Sequence, residues 1–265
     1  IQLKKIETSY IKQKSVKAKN LDEVIELFNQ YNHFTYSVAW IDCVARGNKL
    51  GRSILMLGEH AKLGDLTPKQ SKEPLSVHPN KQVNIPFNLP TFTLNPFTVK
   101  AFNMLYYGKQ FNKELNNIIH YNPYFYPLDT VNNWNRLYGK NGFTQYQFVL
   151  PFHSGNEGLR KILDKVSKSG EASFLAVLKT FGEADNISSP ISFPMPGYTL
   201  ALDFKVSKKV FRLLDELDEL VISYGGRLYL TKDARMSAET FRKTYSECFK
   251  HNTKFNSLQS ERLGI

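Results

Sequence analysis

The chain has 265 residues, 42% of them hydrophobic and 22% charged, with 35 Lys and Arg against 24 Asp and Glu. That length buries one large or two small cores, and the composition is that of a globular protein rather than a disordered or fibrous one. A net charge of +11 favours anionic partners, yet the cations are scattered without a run of five or six, which reads as a lysine-rich solvated surface before a nucleic-acid tail.

No apolar run approaches the roughly 18 residues of a membrane span, and nothing near Ile1 reads as a signal peptide. The opening Ile1-Gln2-Leu3-Lys4-Lys5-Ile6 reads as the middle of a strand and predicts a fragment. Cys43 and Cys248 form no C-x-x-C pair, so reduced thiols in a cytoplasmic setting are predicted, and no structural metal. Leu3 to Lys19 alternates loosely as a strand. Asn20 then caps a helix whose apolar stripe is Leu21, Val24, Ile25, Leu27 and Phe28, with Glu23 three residues past the cap. Tyr36–Cys43 and Arg52–Leu57 read as strands around a turn at Gly47–Gly51.

From Leu63 to Tyr126 the periodicity dissolves into Pro, Asn, Phe and Tyr, with a short helix predicted around Phe97–Tyr107. A stretch this long without regular structure is unusual in a compact domain, so it reads as a functional lid, a disordered insertion or a partly helical segment, with residues 71–117 expected to be mobile. Beyond it the pattern is regular again. Strands are expected at Gln145–Leu150, Ser173–Phe181 and Tyr198–Phe204, and a helix at Gly158–Ser169. A long helix starting at Ser207 has the core face Val210, Leu213, Leu214, Leu217, Leu220 and Val221, ends at Gly225-Gly226, and leads into Arg227–Leu230. The order β-α-β-β-α-β is the split βαβ, ferredoxin-like motif. The fold expected is α+β, an antiparallel sheet with helices on one face, over residues 1–226. Ser237 caps a further helix in the weakly patterned segment 227–265.

There is no G-x-G-x-x-G, Walker A, H-E-x-x-H or G-x-S-x-G, and no Cys/His cluster at ligand spacing. His33, His60, His78, His120, His153 and His251 are isolated and read as surface or satisfied core groups. The acid pairs Asp215-Glu216 and Asp218-Glu219 fall on the solvent side of their helix pattern, which argues against a glycosidase pair.

Several short segments add to this reading. They are Tyr36 to Cys43, Tyr126-Pro127-Leu128-Asp129, Asn133-Trp134-Asn135-Arg136, and Gly142-Phe143-Thr144-Gln145-Tyr146-Gln147-Phe148-Val149. Phe174-Leu175-x-Val177-x-Lys179-x-Phe181-Gly182, Ser192-Phe193-Pro194-x-Pro196-Gly197 and Gly225-Gly226-Arg227-Leu228-Tyr229-x-x-Lys232-Asp233 follow. In order and spacing these resemble the oxidase subunit of the decaprenylphosphoryl-ribose epimerase family, which belongs to the vanillyl-alcohol-oxidase-like flavoproteins. The resemblance implies an FAD-dependent oxidase that turns the 2′-hydroxyl of a polyprenyl-phospho-ribose into a ketone. It also implies a short-chain reductase partner and peripheral contact with the inner membrane. The match begins after the family's N-terminal FAD-binding domain. This chain is therefore expected to be the substrate-binding cap, to hold no FAD alone, and to return to the missing domain through residues 227–265.

The resemblance implies a substrate pocket formed by Trp40, Gln145, Gln147, Val177, Lys179, Phe181, Thr199 and Tyr229. Lys232 is the catalytic cation beside the flavin, and Tyr229 also lies near the cofactor. Taken from the residues alone, Trp40 reads equally as core packing, Lys179 as a snorkelling lysine and Lys232 as a surface lysine. Gln145 and Gln147 share one strand face, where paired amides call for polar partners. Thr199 and Ala201 stand where relatives carry asparagine and cysteine, and Phe125 where they carry tyrosine, so the reactive cysteine is absent and the sugar and lipid are open. A sugar-lactone or alditol oxidase is the rival within the class. A non-enzymatic basic α+β module binding nucleic acid or lipid phosphate is the rival outside it, ranked below because the strand aromatics lie in apolar runs.

Overall fold

The computed structural model describes all residues except 1, 4, 79–81, 91, 172, 174, 184–190 and 246–255. The readings at Ile1, Lys4, Phe174, Cys248 and His251 lie outside the described residues. The first half runs β1 (Tyr10–Ala18), α1 (Leu21–Gln30), β2 (Tyr36–Ile41) and β3 (Ser53–His60). The insertion holds β4 (Val83–Asn84), α2 (Pro96–Gly108), β5 (Glu114–His120), α3 (Tyr121–Phe125) and β6 (Val131–Asn132). The second half is β7 (Phe143–Pro151), α4 (Phe152–Ser169), β8 (Ala176–Phe181), β9 (Gly197–Lys205), α5 (Lys208–Ser223) and β10 (Arg227–Leu228), followed by α6 (Ala238–Thr244) and α7 (Leu258–Leu263).

Eight strands form one antiparallel sheet in the order β10-β7-β9-β8-β2-β3-β1-β5, while β4 and β6 make a small parallel pair. In each half, the two strands joined by a helix have a third strand between them: β3 between β1 and β2, and β9 between β7 and β8. The halves meet where Ala39 pairs with Leu178 and Trp40 with Val177.

Local chemistry sets the helix starts. The side chains of Asn20, Ser207 and Ser237 accept hydrogen bonds from the backbone N–H of Glu23, Val210 and Thr240, satisfying first-turn donors that have no partner within the helix. The stripes of α1, α4 and α5 (Val24 and Phe28; Leu159, Ile162 and Val166; Val210, Leu214 and Leu217) join Ile41, Leu57, Phe148 and Leu200 in one buried cluster. Gly197 is required by a close approach, since a Cβ there would overlap the Leu150 carbonyl oxygen on the paired strand.

Three features differ from the expectations, and the C-terminal segment adds a fourth observation. α2 lies on the opposite sheet face from α1, α4 and α5, because the pleat sends Ala39 and Ile41 into the helix-side core and Trp40 and Asp42 to the other side, where Tyr106 and Asn103 of α2 meet them. β5 was not legible in Glu114–His120, where Asn116 and Asn117 interrupt any alternation. It forms because it completes the ladder on the edge of β1. Asp218 is 2% exposed rather than solvent-facing, held by the Tyr146 hydroxyl and Arg235. Within residues 227–265, α6 and α7 pack on this domain: Phe241 and Leu263 join the core cluster, and Arg262 pairs with Asp233 at 2.8 Å.

Candidate functional site

The sheet face opposite α1, α4 and α5 is covered over β1, β2 and β3 by α2 and α3; over β7, β8 and β9 its side chains are mostly half-buried. Strand alternation and register gather the predicted residues there. Gln145 lies opposite Asp203, Gln147 opposite Ala201, Val177 also opposite Ala201, Lys179 opposite Thr199, Phe181 opposite Gly197, and Trp40 opposite Val177. Ala201 therefore forms a low floor between Gln147 and Val177. Lys179 stands exposed, while Thr199 is 1% exposed.

The polar groups of this face are ordered by one another. Gln147 Nε2 donates to Thr199 Oγ1 at 3.1 Å, and Thr199 Oγ1 donates to the Phe148 carbonyl at 2.9 Å. The Tyr229 N–H donates to the Gln147 carbonyl at 2.9 Å, extending the β10 edge along β7. The 3-10 turn Leu230–Lys232 then carries Lys232 to Gln145, and Lys232 Nζ donates to Gln145 Oε1 at 2.6 Å. Gln145 Nε2 in turn donates to Asp203 Oδ1 at 3.0 Å. A carboxylate thus fixes which way the amide points, and the amide oxygen fixes the ammonium.

Asp203 is 2% exposed, and its second oxygen, Oδ2, has no hydrogen-bond partner. Burial pushes its carboxyl up to about 6, against the lowering effects of the Gln145 hydrogen bond and the Lys232 charge. Sequence reading passed over this residue. Its place two and four residues beyond Ala201 and Thr199 gives its side of the strand, but not its partner Gln145, which only the strand register supplies.

At the rim, the Tyr229 ring stacks on Phe193 with centroids 4.5 Å apart, and Phe193 meets Phe181 edge-on at 5.8 Å. Trp40 is 5% exposed against Tyr106, at 4.6 Å, so its ring is a packed wall at the end of the row. Phe125 packs instead on Tyr36, at 4.9 Å, away from this row. A separate cavity of about 490 Å³ beside Asp42, Arg46, Arg52 and Lys100 is bordered by none of the predicted site residues. Among the described residues no group of His, Cys, Asp and Glu is arranged to hold a metal. The arrangement can orient the hydroxyls of a polar ligand over an apolar floor, with two ammonium groups for developing or fixed negative charge.

No protein-family model matches the chain. Over 247 residues, 92% of its length, it is 36% identical to the decaprenylphosphoryl-beta-D-ribose oxidase of Mycolicibacterium smegmatis, of which it spans 53%. It is 27% identical over 249 residues to a Streptomyces coelicolor protein described as an uncharacterized protein in the mprA 5′ region, with coverage of 90% of this chain and 66% of that one. A solved variant of berberine bridge enzyme, a reticuline dehydrogenase, superposes with a TM-score of 0.38 at 14% identity over 81% of this chain and 41% of that one. The resemblance carried by the sequence motifs is thus matched along most of the chain, which corresponds to about half of the mycobacterial oxidase.

Proposed function

We propose that the chain is the substrate-binding part of an FAD-dependent oxidoreductase that oxidises a sugar hydroxyl, the 2′-hydroxyl of a polyprenylphosphoryl ribose or a close analogue, to a ketone. The observation that carries this reading is the Lys232–Gln145–Asp203 chain on the sheet face opposite α1, α4 and α5, in a sequence 36% identical to such an oxidase. The sheet order supports a cap of two split βαβ units, side by side, that offers this face to the rest of the protein.

The residues fit a neighbour that gains negative charge. Lys232 forms no ion pair among the described residues; its acceptor is a neutral amide oxygen, and Asp203 lies one hydrogen bond further on. Its charge is therefore positioned but not neutralised. The flavin, held mainly by the part of the oxidase that this chain does not span, supplies the hydride acceptor. The hydroxyl proton would pass to water as hydride leaves the carbon; Lys232 would stabilise the negative charge developing on that oxygen, and Gln145 holds the ammonium in one place. Gln147, Thr199 and Lys179 present donors to sugar and phosphate oxygens, while Phe181, Phe193 and Tyr229 keep water from one side.

The test is flavin reduction by polyprenylphosphoryl ribose at saturation in the full-length protein. Lys232→Met keeps the bulk and removes the charge, and should slow reduction by on the order of a hundredfold. A loss below threefold makes Lys232 a surface residue and overturns the reading.

A further inference from the structure

The β2–β3 loop, the start of α2 and the end of α4 together border the cavity of about 490 Å³. That size falls in the range of small-molecule pockets. Six charged side chains line it: Asp42, Arg46, Lys49, Arg52, Lys100 and Glu171. None of Gln145, Gln147, Lys179 and Lys232 does.

Both acids are already matched. The Asp42 carboxylate is 1% exposed and accepts from Arg52 Nε at 2.8 Å, Arg52 Nη2 at 2.7 Å, Asn103 Nδ2 at 2.8 Å and the Val44 N–H at 3.1 Å. Glu171 pairs with Lys209 at 3.1 Å. The other three cations have no carboxylate partner among the described residues. Arg46 donates to the Ser167 carbonyl in the last turn of α4, from Nε at 3.0 Å and also from Nη2, which fixes the guanidinium without neutralising it. Lys49 ends the 3-10 turn Gly47–Lys49, and Lys100 comes from α2. Like charges from three separate segments are thus gathered at one cavity, at an electrostatic cost that a bound anion removes.

The charge count and the lining define the ligand. A phosphate monoester, at about −1.5 to −2 near pH 7, leaves one of the three cations unmatched, and a second phosphate group matches it. Val44, Ala45, Pro96 and Met104 supply apolar wall for an organic group beside the phosphates.

We infer that this cavity binds a soluble organic diphosphate of the nucleoside-diphosphate kind. Arg46, Lys49 and Lys100 take the phosphate oxygens, and the apolar wall takes the organic part. Flavin and sugar oxidation play no part in it, so its failure leaves the Lys232 experiment untouched.

Equilibrium dialysis of this chain against adenosine diphosphate tests it, without magnesium and at about 0.15 M ionic strength, where charges beyond about 8 Å are largely screened. Adenosine diphosphate should bind at a single site, adenosine monophosphate at least about tenfold more weakly, and adenosine not measurably. Lys49→Glu with Lys100→Glu should weaken binding of the diphosphate by more than about tenfold while melting like the wild type, since neither lysine is ion-paired. Lys49→Gln with Lys100→Gln should weaken it by at least about threefold, and decides the matter if the reversed pair fails to fold. Lys69→Glu with Lys161→Glu makes the same charge change on exposed lysines that do not border the cavity, and should leave binding unchanged. Four results overturn the inference. They are no binding of adenosine diphosphate, monophosphate binding as tight as diphosphate binding, binding that the Lys49 and Lys100 substitutions leave intact, and an equal loss in the Lys69 and Lys161 variant. The last would assign the attraction to the net charge of +11.

Discussion

Asp203 shows how one buried group couples the candidate site to stability. Its folded carboxyl titrates at about 6 against an ordinary 3.8, so between those values the folded chain binds more protons than the unfolded one. Its contribution to stability is therefore full below about pH 4 and is lost as pH rises through about 6, at a cost on the order of 3 kcal/mol by pH 8. Asp203→Asn keeps the shape and an acceptor for Gln145 Nε2, and it removes the charge. The variant should melt at a higher temperature than the wild type at pH 8 and at the same temperature at pH 4. Equal shifts at both pH values would mean that packing, not ionisation, governs the site. The same charge orients Gln145 for Lys232, so the stability lost at neutral pH accompanies a fixed ammonium on the sheet face.

Between elements, a nearly buried ion pair joins α5 to the segment before α6. Arg235 Nη2 donates to Asp218 at 2.6 Å and Nη1 to Asp215 at 2.6 Å, while the Tyr146 hydroxyl of β7 donates to Asp218 at 2.9 Å. Burial raises the Asp218 carboxyl and the guanidinium opposes that rise. The pair is nearly dry, and removing one partner leaves an uncompensated charge. Arg235→Met should therefore cost about 3 kcal/mol in urea unfolding at pH 7. Lys243→Met, which breaks an exposed, solvent-screened pair with Glu239, should leave the urea midpoint essentially unchanged. A small effect of Arg235→Met would mean that water reaches Asp218. Because this tie anchors the turn that carries Lys232, loosening it should also blur the candidate site.

The eight-stranded sheet has two halves that share the core of α1, α4 and α5, with α2 and α3 of the insertion over β1, β2 and β3 on the other face. That division predicts a division in dynamics. The helix-side core buries whole apolar stripes, whereas the described part of residues 82–95 has one two-residue ladder and mostly exposed side chains. Amides in the described part of residues 82–95 should exchange with deuterium at least about a hundredfold faster than those of Val210–Val221. Comparable protection in the two regions would remove the case for a mobile insertion.

Local pattern sufficed for much of the architecture. The stripes of α1, α4 and α5, their Asn20 and Ser207 caps and the strands they alternate with are all legible, because helix and strand periods sort apolar residues without reference to the rest of the chain. The resemblance named Gln145, Gln147, Lys179 and Lys232, and alternation alone put Gln145 with Gln147 and Val177 with Lys179 and Phe181. Three things were out of reach. β5 has no pattern of its own and exists through its ladder with β1. Asp218 looked solvent-facing until Arg235, 17 residues on, folded back over it. Asp203 became part of the site only when register set it opposite Gln145, 58 residues away. Each depends on partners distant in sequence, and neither period nor propensity carries information about pairing across that distance.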